Sequence, residues 1–151
     1  MHGFWLFIHV LGIVLWIGGG LATMVAGVAA KQFPPETRLA AYRLTSAVQR
    51  VLVGPGAVAV LVSGVVLTMR YMRDGVIPGW LALMMATGIP AAAVALGVAL
   101  PTAARLGRLE LDAQGGLPAS FATLRLRLVQ TASIAGGLGL IALVAGTILR
   151  N

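Results

Sequence analysis

The sequence predicts an all-α integral membrane protein, a single domain (1–151) folded as a bundle of four transmembrane helices. Three observations carry that prediction. The 151-residue chain is 59% hydrophobic and only 10% charged, against about 25% charged residues in an ordinary soluble domain, and its mean hydropathy is +0.96. A water-soluble chain of this length could not bury so much apolar surface, so a bilayer must serve as its solvent. The apolar residues fall into four runs, about 4–30, 51–69, 79–100 and 128–149, none with a charged residue near its centre. Each is near the length of about 20 residues that a helix needs to cross the hydrocarbon.

The first run, from Phe4 to Ala30, has no basic residues before it and is too long for the apolar part of a signal peptide, so it reads as a retained helix. His9, Trp16 and Thr23 recur in it at seven-residue intervals, after His2 at the same interval, with Gly12 and Gly19 close to their face. That face should point into the bundle. The second run contains Gly54 and Gly56 around Pro55, where a kink is expected. The third opens on Gly79, Trp80 and Leu81, presents Gly88, Ala91 and Ala95 on one face, and contains Pro90, a second expected kink. The fourth carries a stripe of Ala135, Gly139, Ala142 and Gly146. Lipid supplies no hydrophobic force between helices, so small residues that permit close approach are expected at the interfaces. Trp5, Trp80 and Tyr71 lie near outer helix ends, where amphipathic rings anchor to headgroups. The runs lack the alternation that a membrane barrel requires.

Orientation follows from the cations. The connection between helices one and two holds Lys31, Arg38, Arg43 and Arg50, and that between three and four holds Arg105, Arg108, Arg125 and Arg127. The other side has Arg70, Arg73 and Arg150. This bias places both connections in the cytoplasm and both termini outside, in a bacterial inner membrane. Pro35 and Pro118 suit first helical turns, and the chain then runs without a breaker into the spans. Helices two and four should therefore begin as basic extensions in the cytoplasm. Their membrane parts also match weakly. Gln49, Gly54, Gly56, Gly64 and Arg70 parallel Gln130, Gly136, Gly137, Gly146 and Arg150, which suggests two duplicated helical hairpins. Compositional bias in apolar spans produces similar matches.

Little chemistry is available to such a chain. There is no cysteine, which removes disulfides and thiolate sites. The acids Glu36, Asp74, Glu110 and Asp112 all lie in connections, so no intramembrane carboxylate relay exists. The triple glycine at Gly18 to Gly20 lies mid-span with no following lysine and is no phosphate loop. The net charge of +7 is spread between spans and implies lipid headgroups rather than nucleic acid. The exception is His9, about 7–8 Å inside the outer boundary by helical rise. Neutral imidazole with a thioether suits haem iron or Cu(I). Met84, and for a copper site Met69 and Met85, lie at comparable depth. The plain alternative is a packing histidine with methionines that fill gaps.

The segment from His9 through Trp16 to Gly19 (HVLGIVLWIGG) resembles a first-helix signature of small membrane proteins. It looks like the membrane domain of the copper-resistance D proteins and a small four-helix family related to it. It is also similar to haem-associated four-helix protoporphyrinogen oxidases. Pro55, Gly64 and the Gly79, Trp80, Leu81 opening are further matches. The resemblance implies that His9 is the haem-associated histidine, with Trp16 beside the cofactor. Where the oxidases follow the third-helix opening with a histidine and a lysine, this chain has Ala82 and Met84. Met84 would then be the second axial ligand, and the missing lysine points away from catalysis.

The resulting expectation is a non-catalytic membrane protein that binds haem b or copper near its outer side through His9. It would act as an accessory subunit of a membrane redox complex, or as a homo-oligomer. A cofactor-free packing role, a divergent haem-dependent porphyrinogen oxidase and a copper transport protein are the alternatives. For transport, Met24 is the one methionine deep on the cytoplasmic side. The topology has a direct test, because the chain has no native cysteine. Asp74→Cys should react with a membrane-impermeant maleimide in intact cells, and reaction only after lysis would reverse the orientation.

Overall fold

In the computed structural model the described residues are 2–73 and 75–149, excluding the side chains of His2 and Arg70. The sequence-based assignments for His2, Arg70, Asp74 and Arg150 therefore fall outside the described residues or side chains. All regular structure among the described residues is helical. Helix α1 spans His2–Ala29 and ends in a 3-10 turn, Ala30–Gln32. Helix α2 runs Pro35–Arg73, α3 Gly79–Leu106 and α4 Ser120–Thr147. All four are long and apolar enough to cross a membrane.

The helices overrun the predicted spans at one end. The 39 residues of α2 rise about 58 Å, nearly twice the thickness of a hydrocarbon core of about 30 Å. Its first half is polar and starts on Pro35 at the first helical turn, where the missing N–H costs nothing. Helix α4 begins at Ser120, after Pro118 rather than on it, and the Phe121 N–H bonds the Pro118 carbonyl at 2.9 Å. Helix α3 also continues past the predicted limit, to Leu106. These ends do not stand apart as stalks. Leu39 and Tyr42 of α2, Ala103 and Leu106 of α3, and Phe121 and Leu128 of α4 form one buried cluster.

Two π turns interrupt the helices, and each precedes a proline. In α2 the turn is Gln49–Val53, closed by the Gly54 N–H on the Gln49 carbonyl, with Pro55 next. In α3 it is Ala95–Ala99, closed by Leu100 on Ala95, with Pro101 next. A proline has no N–H for the carbonyl four residues back, and its ring crowds that carbonyl. The wider turn relieves both problems. The break expected at Pro55 is thus a π turn. Pro90 lies within a stretch that keeps α-helical hydrogen bonding, and the second π turn falls before Pro101.

The bundle is built from two antiparallel pairs, α1 with α2 and α3 with α4. In the first pair His9 meets Ser63, Gly12 meets Val60, Trp16 meets Gly56, Gly19 meets Val53 and Thr23 meets Gln49. The residue numbers of each pair add to the same total, so the two helices run past one another without slippage. Spacings alternate between three and four residues on both helices, the seam of shallow-angle packing. The second pair behaves alike, with Gly88 against Ala142 and Met84 against Gly146. Trp16, Val53, Ala57, Ala91, Ala92, Ala95 and Ala135 then join all four helices in one core.

Gly12 and Gly56 mark the closest approach. A Cβ on Gly12 would lie 2.8 Å from the Gly56 carbonyl oxygen, and one on Gly56 would lie 2.8 Å from both the Gly12 carbonyl oxygen and the Trp16 nitrogen. These obstacles are backbone and cannot rotate away. Gly18, by contrast, has nothing within 4 Å of the added atom. Gly56→Ala should destabilise the bundle by about 1–3 kcal/mol, as overpacking does, while Gly18→Ala stays near neutral. Unfolding in SDS, followed by circular dichroism, measures both; equal effects would remove the close approach as a constraint.

Candidate functional site

The predicted inward face of α1 is correct. Trp16, Gly12, Gly19 and Thr23 are buried and His9 is half-buried, all against α2. His9 Nδ1 lies 2.9 Å from Ser63 Oγ. Ser63 is fully buried, and its hydroxyl bonds back to the carbonyl of Ala59 on its own helix. A hydroxyl has one proton. With that proton given to Ala59, Ser63 Oγ would accept from His9, which favours the tautomer with the imidazole hydrogen on Nδ1. Nε2 would then carry the lone pair. It makes no side-chain hydrogen bond among the described residues, and the ring also lies against the Val60 backbone.

This arrangement matches the chemistry of a ligating histidine. Such residues donate one ring N–H to a fixed acceptor, which sets tautomer and orientation, and present the other nitrogen to the metal. The glycine after Ser63 completes the seat, because a Cβ on Gly64 would lie 3.4 Å from His9 Cε1.

The methionines are placed differently. Met84 is half-buried on α3, and its sulfur would lie 3.0 Å from a Cβ on Gly146 of α4. His9 thus has its partners on α2 and Met84 has its partner on α4. Met85 is half-buried on the neighbouring face, and Met69, at the end of α2, is 54% exposed. Trp16 is 7% exposed, and its neighbours in the four-helix core are apolar. Among the described residues no three His, Cys, Asp or Glu side chains gather into a metal cage. Each pair does lay one soft-atom side chain over a glycine, His9 over Gly64 and Met84 over Gly146. Those two glycines are the ones matched in the sequence comparison of the two hairpins.

Several polar residues escaped the sequence reading. Ser63 lies seven residues beyond Gly56, so heptad spacing marks it as facing α1. At the other end of the same seam, buried Gln49 Nε2 donates to Thr23 Oγ1 at 3.2 Å, and Thr23 donates to the Gly20 carbonyl at 2.8 Å. Beyond the seam, Arg125 Nε donates to the Tyr42 hydroxyl at 2.9 Å, and the Arg38 guanidinium stacks 5.2 Å from the centre of the Phe121 ring. Arg38 with Tyr42 and Phe121 with Arg125 are both four-residue pairs, the spacing that puts side chains on one helical face. At the turn between α2 and α3, Tyr71 and Trp80 pack edge to face with centroids 5.6 Å apart.

No protein-family model, curated protein or solved structure matches this chain.

The His9–Ser63 bond joins two helices, whereas the Thr68 hydroxyl bonds only the Gly64 carbonyl of its own helix. Ser63→Ala should therefore cost about 0.6–1.5 kcal/mol, the range for an interhelical hydrogen bond. Thr68→Ala should change little. SDS unfolding midpoints compare the two, and an unaffected Ser63→Ala protein would mean the bond contributes nothing to association.

Proposed function

We propose that this chain is a small non-catalytic protein of the bacterial inner membrane that binds haem b or copper near the outer side through His9. The carrying observation is the His9 imidazole, with Nδ1 2.9 Å from the buried Ser63 hydroxyl and Nε2 without a side-chain partner among the described residues. A neutral imidazole nitrogen of this kind would take an axial position on haem iron or a position on Cu(I). When bound, the group would supply one-electron chemistry; the chain's own part is to orient the ring and keep Nε2 unprotonated.

The orientation belongs to the same reading. Both termini lie outside, and the extended ends of α2 and α4 lie in the cytoplasm. Lys31, Arg43, Arg50, Arg105, Arg108 and Arg127 are all exposed at that end, which supports contact with the anionic inner leaflet. The two hairpins are a duplication, supported by the matching seats of His9 and Met84 over Gly64 and Gly146. The resemblance of the His9 to Gly19 segment to haem-associated and copper-resistance membrane proteins supports the choice of cofactor. The outward face of α1, with Phe4, Phe7, Val14 and Val25 all more than half exposed, suits lipid or a helix of a partner complex, as an accessory subunit needs.

A second reading rests on the same bond. His9 to Ser63 also serves as interhelical glue without any cofactor. The spectrum separates the two readings. Detergent-purified protein should show a Soret band that shifts on dithionite reduction, or stoichiometric copper by metal analysis. His9→Ala should abolish either signal. If Met84 is the second axial ligand, Met84→Leu should alter the spectrum while the fold persists. A featureless spectrum without copper would leave only the structural role.

A further inference from the structure

We infer that a pocket between α2 and the start of α4, flanked by Arg38 and Arg125, binds a phosphate group. It is independent of the His9 reading and lies at the other end of the bundle. The cavity has a volume of about 380 Å³ and is lined by Arg38, Leu117, Pro118, Phe121, Ala122 and Arg125, together with Ala119. No acidic residue lines it.

Of the eight cations in the two connections, six are exposed and only Arg38 and Arg125 are drawn inward. Both are held in place by neutral partners. The Phe121 ring carries the Arg38 guanidinium on its face, and the Tyr42 hydroxyl takes the Arg125 Nε–H. Tyr42 and Phe121 are themselves locked edge to face, at 5.2 Å and 83°. The rings orient two positive charges without neutralising either. Arg38 Nε is moreover buried with no hydrogen-bond partner. A buried, unpaired guanidinium N–H is costly unless an acceptor arrives.

The acceptor should be a tetrahedral oxyanion. Two guanidiniums offer planar forks that match phosphate oxygens pairwise. The first turn of α4, with no side-chain cap, adds the positive end of a 28-residue helix beside the pocket. The phosphate could be part of an anionic lipid headgroup or a free phosphate, and the same contacts would recognise both.

The test uses the full chain in neutral detergent. Thermal unfolding and native mass spectrometry would be run with phosphatidylglycerol, phosphatidylcholine or inorganic phosphate at constant ionic strength. Phosphatidylglycerol should be retained and should raise the midpoint, with phosphatidylcholine inert. Arg38→Gln should weaken that binding by about tenfold, the loss of one charge-assisted contact. Ala122→Glu keeps both arginines and the exposed helical surface but places a carboxylate at the pocket, so it should do the same even if Arg38→Gln folds poorly. Arg73→Gln, which removes an exposed cation at the opposite end of the bundle, should leave binding intact. Protection by inorganic phosphate without phosphatidylglycerol would support the site and assign a soluble source. No protection by either probe, or equal loss in the Arg73 variant, would overturn it.

Discussion

The backbone contact between Gly12 and Gly56 is the constraint on which the first helix pair depends. In lipid an apolar side chain gains nothing by leaving the solvent, so helices associate only where atoms fit closely or polar groups pair. At this crossing the two backbones approach until no Cβ fits between them. That fixes the separation, and the constant antiparallel register then decides which residues meet above and below. His9 reaches Ser63 on one side of the crossing and Thr23 reaches Gln49 on the other. The two polar pairs would not both align if the helices slipped by a turn.

The π turn in α2 belongs to the same constraint. Pro55 stands next to Gly56, directly beside the closest contact. An α-helical turn there would set the proline ring against a carbonyl of the preceding turn. Widening the turn at Gln49–Val53 removes that conflict before the crossing is reached. Gln49 and Val53 remain on the seam, facing Thr23 and Gly19. In α3 the corresponding device precedes Pro101, close to the cluster that closes the opposite end of the bundle.

What the sequence made legible was local and periodic. The four helices and their inward faces follow from residue spacing, and Gly88, Ala142 and Gly146 meet neighbours as that spacing implies, whereas Gly139 of the same stripe has open space where a Cβ would lie. The start of α2 was legible from Pro35 although its first half is polar, whereas the continuation of α3 to Leu106 was not. The π turn before Pro101 also escaped, because nothing in that residue's type separates it from Pro90, which sits in α-helix. The arginine pocket was hidden for a different reason. Arg38 and Phe121 are far apart in sequence, and each looks like an ordinary residue of a connection. Only the packing of α2 against α4 brings the ring under the guanidinium. Ser63 stands between these cases: its spacing from Gly56 was visible, but its role needed the position of His9.

The His9–Ser63 bond is a structural contact and, under the proposed function, would also orient a ligand, and the two roles make different demands. Glue between helices requires one donor and one acceptor, which a serine facing a backbone carbonyl already supplies. An imidazole supplies that bond and a second nitrogen as well. The second nitrogen makes no side-chain hydrogen bond among the described residues. In the alternative tautomer Ser63 would donate its proton to Nδ1 and the ring hydrogen would sit on Nε2. The bond from Ser63 to Ala59 favours the first arrangement. The Ser63 bond thus favours the tautomer in which the lone pair is at Nε2. That second nitrogen, which helix association alone does not use, is the physical ground for the proposal that His9 is a ligand.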